Sequence, residues 1–203
     1  MTPGSGARPA GASAPAAGRT AAGRHAEAVS TLLRWSAPDT EQERLRREFL
    51  EHLAGHRDGT DRGCGSGHIT VGVAVFDRML ANVLLTHHRG LDRWAQLGGH
   101  CETGDSGLIA AARREAAEES GIPAIDVEPS PVRLERYRAR CRGRDLLHFD
   151  VQFAATAPPQ AVPTPAAGED EARWFPVRAL PASADESTRS LVRHVLALRD
   201  LTL

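Results

Sequence analysis

The chain has 203 residues and contains no lysine, because all 25 basic residues are arginines. This absence excludes a phosphate-binding loop that depends on lysine, and it excludes covalent catalysis through a lysine Schiff base. Any phosphate group would have to be bound by arginine side chains, backbone N–H groups or a metal ion.

The chain also has few cysteines, a net charge near zero and no long apolar run. The three cysteines, Cys64, Cys101 and Cys141, are odd in number and widely spaced, so neither a disulfide framework nor a zinc site is indicated. A net charge of −1 gives no general attraction to nucleic acid or to an anionic membrane. No apolar run approaches the roughly 20 residues that cross a bilayer. We expect a cytoplasmic protein with a small-molecule partner, and a homodimer is left open.

The composition changes twice along the chain. Residues 1–24 are mostly Ala, Gly, Pro and Ser, which predicts a disordered tail whose removal leaves stability unchanged. Residues 25–67 predict a helical annex followed by a loop. Residues 68–203 predict the main domain.

The annex has the pattern of an amphipathic helix. Leu45, Phe49 and Leu53 recur every four residues and form one apolar stripe. Asp39 or Thr40 can cap the start of this helix.

The main domain alternates between strand and helix patterns. β-Branched and aliphatic runs separated by turn residues predict strands, and segments with apolar residues every three or four positions predict helices. We expect an α/β fold with a mixed sheet between helices. The predicted strands are 68–76, 81–87, 93–97, 131–141, 145–155 and one near 172–177, and the predicted helices are 108–120 and 184–200.

The helix at 108–120 concentrates negative charge. At 3.6 residues per turn, Glu115, Glu118 and Glu119 share an arc of about 100°. Arg114 lies four residues before Glu118, a spacing at which the two side chains pair. A solvated surface helix would also have such a face, but it would carry more interspersed cations.

Three carboxylates on one arc suit Mg²⁺, which takes about six oxygen ligands and is bound through carboxylates, water and substrate phosphates. The glycines at 98 and 99 precede the helix, and they suggest that its N-terminus faces a phosphate. A metal ion held here could bridge a diphosphate and lower the pKa of a bound water molecule.

Residues 99–122 resemble the Nudix box, in which a glycine and a glutamate precede the pattern R-E-U-x-E-E-x-G-U, where U is aliphatic. The second half of the pattern is intact. The matching positions are Gly99, Arg114, Glu115, Ala116, Glu118, Glu119, Gly121 and Ile122.

The first half of the box differs in two ways. Asp105 stands where the first glutamate is expected, and eight residues instead of seven separate it from Arg114. An extra residue inside the helix would rotate its faces by about 100°, so we place it in the loop that leads into the helix. We therefore expect Asp105 to lie off the carboxylate cluster and not to be a metal ligand.

The resemblance implies a Nudix-like α/β/α sandwich and a hydrolase dependent on Mg²⁺, with Mn²⁺ as a substitute. It implies cleavage of a diphosphate bridge in a nucleoside diphosphate linked to another group: a nucleoside triphosphate, a nucleotide sugar or a modified nucleotide. The alternative is a Nudix-fold domain that binds nucleotides without turnover. The implied metal site contains Glu115, Glu118, Glu119 and Gly99, and the implied catalytic residues include Glu115 and Arg114.

Four further residues are candidates for the site. Arg89 could contact a phosphate, or it could lie in a solvated loop, and His100 could donate a hydrogen bond to the substrate. Glu102 could join the metal ligands. By resemblance, Glu171 could be a further carboxylate that acts as a base, against the alternative of a solvated acidic loop.

Aromatic residues make up only 4% of the chain, so few side chains could stack on a nucleobase. The candidates are Trp94, Tyr137 and Phe149, and each could instead belong to the core. The alternating arginines of residues 136–142 could bind a polyanion, although a charged face on an edge strand is the simpler interpretation.

Overall fold

The computed structural model describes residues 20–90, 92–166 and 170–201. Within these ranges the helices are α1 (Ala21–Arg34), α2 (Thr40–Gly55), α3 (Leu108–Ser120) and α4 (Glu186–Leu198). The strands are β1 (His68–Phe76), β2 (Asn82–His88), β3 (Arg93–Ala95), β4 (Leu97–His100), β5 (Asp126–Val127), β6 (Arg133–Cys141), β7 (Arg144–Thr156) and β8 (Glu171–Pro176).

All these strands belong to one mixed sheet built around β1. The strand β1 runs parallel to β7, in register from His68 opposite His148 to Phe76 opposite Thr156. On its other side, β1 pairs antiparallel with β4 and then with β2. The strands β3 and β8 pair with β2, whereas β5 and β6 pair with β7. The sheet therefore mixes parallel and antiparallel pairs, as predicted.

One face of the sheet is covered by α1, α2 and α3. Alternate residues of β1, including Ile69 and Val71, point into this core because successive side chains of a strand face opposite sides. On α2, the ring of Phe49 meets that of Phe149 edge-to-face, with 5.2 Å between centroids. The annex helices thus share one hydrophobic core with the main domain and do not form a separate unit.

The other face is covered by α4 at one end only. Leu191 and Val195 of α4 pack against Phe76 and Leu85 of the sheet. Helices therefore lie on both faces, which confirms the predicted α/β/α arrangement. The remainder of this second face is polar, and a cavity opens there beside β4.

The predicted boundary of the tail is wrong, because α1 begins at Ala21 inside it. The Thr20 side chain caps the helix by accepting a hydrogen bond from the Gly23 N–H at 3.0 Å. Arg24 is only 2% exposed, donates to the Glu102 carbonyl at 2.8 Å and pairs with Asp61. Residues 1–19 of the predicted tail lie outside the described residues.

The helix α3 has the predicted bounds, but its N-terminus differs from the expectation. The Glu27 carboxylate of α1 accepts a hydrogen bond from the Leu108 N–H at 2.7 Å. A carboxylate at this position satisfies a free donor of the first turn and complements the helix dipole. The α3 N-terminus is therefore capped by α1 and does not face a phosphate site.

No helix among the described residues is long and apolar enough to cross a membrane. The arginine-rich strand β6 pairs with β7, and Arg136 forms an ion pair with Glu48 of α2 at 2.8 Å.

Candidate active site

Arg114 is the centre of a group of carboxylates on α3 and in the loop before it. Its Nε and Nη2 atoms donate to the two oxygens of Asp105 at 3.1 and 2.9 Å. Its Nη1 atom donates to Glu115 at 2.9 Å and to Glu118 at 3.1 Å. Nη2 also donates to the His100 carbonyl at 2.8 Å, which ties the group to β4.

Asp105 is part of this group, and the expectation that it lies off the carboxylate cluster is wrong. Its side chain is 5% exposed and accepts a hydrogen bond from the Glu102 N–H at 2.7 Å. The loop turns back at this point, since the Asp105 N–H donates to the Glu102 carbonyl at 3.0 Å. This turn places the short Asp105 side chain within reach of Arg114.

Glu115 lies against the backbone of β4 and is largely buried, with a side-chain exposure of 13%. A Cβ atom at Gly99 would lie 2.6–2.8 Å from the Glu115 carboxylate, so only glycine leaves room for this side chain. Burial raises the pKa of Glu115, and the neighbouring Arg114 opposes this effect.

Glu118 and Glu119 point to different neighbours. The Glu119 carboxylate accepts a hydrogen bond from the Gly98 N–H at 3.0 Å, and Gly98 has a φ of 149° that other residues rarely adopt. The Glu118 side chain is 61% exposed and touches Arg114 from the solvent side. Glu115 and Glu119 thus lie against Gly99 and Gly98 of β4, and Glu118 is joined to them through Arg114.

Three further candidates from the sequence lie at the margin of the carboxylate group around Arg114 or away from it. Glu102 lies 3.9 Å from Arg114 and is 66% exposed. Glu171 is on β8, where it pairs with Arg173, and Arg89 lies 3.7 Å from Asp170 with an exposed side chain. Neither Glu171 nor Arg89 lines the cavity described next.

A cavity of about 600 Å³ opens on the polar part of the second sheet face. This volume lies within the range of small-molecule sites, roughly 300–1,000 Å³. Gly98, Gly99 and His100 of β4 line it, and Glu119 and Glu115 of α3 lie against the first two of these residues without lining the cavity themselves. Arg93, Arg138 and Arg140 also line the cavity and could contact an anionic ligand.

The floor of the cavity is a hydrogen-bonded network that the sequence analysis missed. Asp150 is 3% exposed and accepts hydrogen bonds from Thr70 at 2.7 Å and from Gln152 at 3.0 Å. Burial raises the pKa of Asp150 to about 6. The signal was present in β7, where His148, Asp150 and Gln152 alternate with apolar residues.

Three histidines and a cysteine meet beside this floor, and the sequence analysis considered only His100 among the histidines. One ligand atom from each of four residues lies within 4.8 Å of the other three. Burial lowers the pKa of His68 to about 4 and that of His100 to about 3, and it also lowers the pKa of His148. These imidazoles are therefore uncharged near neutral pH. The four residues are His68, His100, Cys141 and His148.

Only one of the candidate stacking residues faces the cavity. Tyr137 is 39% exposed, lines the cavity and stacks on His148 with 5.2 Å between ring centroids. Phe149 belongs to the core, and Trp94 packs edge-to-face on Phe175 at 4.7 Å.

The sequence matches the NUDIX domain over residues 67–195, which is more than half of the chain. The chain therefore belongs to the Nudix family. The matched region includes the carboxylate group around Arg114, the cavity and α4 up to Val195. The predicted family membership and hydrolase class are thereby confirmed.

Solved structures of the family share the fold. A Nudix-family hydrolase from Clostridium perfringens is 21% identical with a TM-score of 0.54, over 64% of this chain and 97% of that one. The E. coli dihydroneopterin triphosphate pyrophosphohydrolase is 18% identical with a TM-score of 0.52, over 64% and 95%. A C. elegans Ap4A hydrolase is 17% identical with a TM-score of 0.53, over 65% and 97%. Comparison of the sequence with curated proteins finds no match.

Proposed function

We propose that this protein is a Mg²⁺-dependent pyrophosphohydrolase, with Mn²⁺ as a substitute, that cleaves a diphosphate bridge. The substrate class is a nucleoside diphosphate linked to another group, and the products are a nucleoside monophosphate and the phosphorylated remainder. The three cysteines are free and buried, which supports action in a reducing compartment such as the cytoplasm.

One observation carries this proposal: Glu119 and Glu115 lie against Gly98 and Gly99, and these two glycines line a cavity large enough for a nucleotide. Carboxylate oxygens are the ligands that Mg²⁺ prefers. The exposed Glu118 side chain can rotate away from Arg114, because an exposed ion pair holds it only weakly. The residues that would hold the ion are Glu115, Glu118 and Glu119, with Gly99 beside them.

When bound, the metal ion would neutralise phosphate oxygens and lower the pKa of a water molecule. Arg114 positions the carboxylates, since it contacts Asp105, Glu115 and Glu118 together. Glu115 is either a ligand of the ion or the base that accepts the proton from the attacking water, since its carboxylate lies with the other two on one arc of α3.

The cavity supports recognition of the rest of the substrate. Tyr137 offers an exposed ring on which a flat group can stack, and Asp150 and Glu135 offer hydrogen-bond acceptors. Two structural neighbours are called a triphosphate pyrophosphohydrolase and an Ap4A hydrolase, which supports the same class of bond.

A panel of compounds tests the proposal: nucleoside triphosphates, dinucleoside polyphosphates, nucleotide sugars and modified nucleotides, each with Mg²⁺ and with excess chelator. We expect turnover of at least one class with Mg²⁺ and none with chelator, measured by chromatography of the products. Tight binding of a nucleotide without turnover of any compound would instead support a nucleotide-binding sensor.

A further inference from the structure

Four neighbouring strands each contribute one nitrogen or sulfur ligand to a single point beside the cavity floor. His68 is on β1, His100 on β4, Cys141 on β6 and His148 on β7, and one ligand atom from each lies within 4.8 Å of the others. We propose that these four residues bind a divalent ion of borderline softness, best matched by Zn²⁺, at a site distinct from the glutamates of α3.

The separation of two of the ligand atoms is close to that around a tetrahedral ion, and all four lie within 4.8 Å of one another. Bonds of about 2.1 Å to nitrogen and 2.3 Å to sulfur place tetrahedral ligands about 3.4–3.7 Å apart. The Cys141 Sγ atom lies 3.8 Å from the His100 Nε2 atom. A shift of a few tenths of an ångström would complete this edge of the tetrahedron.

His68 supplies an independent observation that points to a ligand. Its side chain is fully buried, with a relative exposure of 0%, and neither ring nitrogen has a hydrogen-bond partner among the described residues. The contact with the Cys64 backbone is the smallest of the influences on the pKa of His68. Buried polar groups normally have a partner, because an unsatisfied one costs free energy. A metal ion would supply a partner for one of the two ring nitrogens.

The surrounding groups orient and tune the other ligands. The His148 Nδ1 atom lies 3.1 Å from the Leu146 carbonyl, so it is placed to donate there and leaves Nε2 for the ion. The Arg62 Nε atom donates a hydrogen bond to the Cys141 sulfur at 3.3 Å, which holds this sulfur in position. Hydrogen bonds of both kinds are usual around protein metal ligands.

The donor set decides between classes of ion. Three imidazoles and one thiolate suit Zn²⁺ and not Mg²⁺, which prefers oxygen ligands. Four protein ligands fill a tetrahedral shell, as in structural zinc sites, so the ion has no open position for a substrate. Its role is to tie β6 and β7 to β1 and β4 beneath the cavity, where Tyr137 stacks on His148.

The test uses the full chain, stripped of metal with chelator and titrated with Co²⁺ as a spectroscopic probe at neutral pH. We expect one equivalent to produce the visible bands of tetrahedral Co²⁺ and a thiolate-to-cobalt charge-transfer band, both removed by added Zn²⁺. Zn²⁺ at roughly 100 times its Kd should raise the melting temperature by about 5–10 °C.

Variants locate the ion within the chain. Cys141→Ala should abolish the charge-transfer band. His68→Ala should weaken Co²⁺ binding by at least roughly tenfold, because losing even a residue that only hydrogen-bonds to a metal ligand has an effect of that size. Cys101→Ala is the matched control, since it also removes a buried thiol, and it should keep the band.

The proposal is overturned if wild-type protein shows no charge-transfer band. It is also overturned if Cys141→Ala keeps the band and Cys64→Ala loses it, because the ion would then lie on the group of His56, Asp58 and Cys64. If Cys141→Ala does not fold, X-ray absorption of the Zn²⁺-loaded wild-type protein decides. One sulfur at about 2.3 Å together with three histidine nitrogens supports the site, and a shell without sulfur, or with sulfur and fewer than three histidines, rejects it.

Discussion

Asp105 and Arg114 are joined by two parallel hydrogen bonds, with Oδ1 3.1 Å from Nε and Oδ2 2.9 Å from Nη2. The pair is largely buried, since the two side chains are 5% and 20% exposed. A bidentate pair fixes both the position and the plane of the guanidinium. Arg114 can therefore hold Glu115 and Glu118 in place along β4.

The first prediction concerns this pair. Asp105→Asn keeps the shape of the side chain but removes its charge and one acceptor. We expect a loss of stability on the order of 2 kcal/mol, which lowers the melting temperature by about 4–8 °C. Because Arg114 is then poorly positioned, kcat should fall by about tenfold to a hundredfold. Asp126→Asn on the exposed edge of β5 is the control, and equal behaviour of the two variants would contradict the account.

The second prediction concerns the glutamates of α3. Changing Glu115, Glu118 or Glu119 singly to Gln should lower kcat by about 10²- to 10⁴-fold, because each change removes a metal ligand or a base. Folding should survive, since Gln has nearly the same shape. The exposed Glu51 of α2 provides a matched Glu→Gln control with unchanged turnover. If all three substitutions left kcat unchanged, α3 would be a solvated surface helix with no role in turnover.

The third prediction concerns α1, which holds the loop before α3 from both sides. Arg24 binds the Glu102 carbonyl, and Glu27 caps α3 at Leu108. Arg24→Ala leaves Asp61 and the Glu102 carbonyl without the buried guanidinium. The free energy of unfolding should fall by about 2 kcal/mol or more. The melting temperature should fall by about 4–8 °C. Arg34→Ala, on the exposed end of the same helix, should change the melting temperature little. An equally small change for Arg24→Ala would show that the buried contacts of Arg24 do not stabilise the fold.

The fourth prediction concerns pH. Burial lowers the folded-state pKa of His194 on α4, and its Nε2 atom is buried without a partner. The neutral form is thus favoured in the folded protein. The stability that His194 contributes is complete above its unfolded pKa of about 6.5, and it is lost as the pH falls through the folded pKa. His194→Leu should therefore lose less stability than wild type between about pH 7.5 and pH 5 in urea unfolding. If His194→Leu and wild type lost the same unfolding free energy over this pH range, His194 would not contribute to the pH dependence.

Local patterns predicted individual elements well. The bounds of α3 and β1 follow from periodicity and from the glycines around them, and Leu45, Phe49 and Leu53 are buried on α2 as their spacing indicates. The start of α1 was missed because Ala21 and Ala22 belong to a run of small residues that resembles a tail. Its helix is fixed by distant partners of Arg24 and Glu27, which composition does not reveal.

The site was only partly predictable for the same reason. The glutamates of α3 are close in sequence, so their shared arc follows from helix geometry alone. The sequence indicates no zinc site, because its cysteines lack the usual local spacing. The proposed ligands His68, His100, Cys141 and His148 come together through the parallel pairing of β1 with β7, which no local pattern encodes.

The most direct test of the proposed activity is metal replacement. The protein is stripped of all metal, given Zn²⁺, Mg²⁺ or both, and assayed for steady-state turnover of the best compound in the panel. We expect turnover with Mg²⁺ and none with Zn²⁺ alone, because the reaction requires an ion at the α3 carboxylates. Full turnover by the stripped protein, or nucleotide binding without turnover in saturating Mg²⁺, would contradict it.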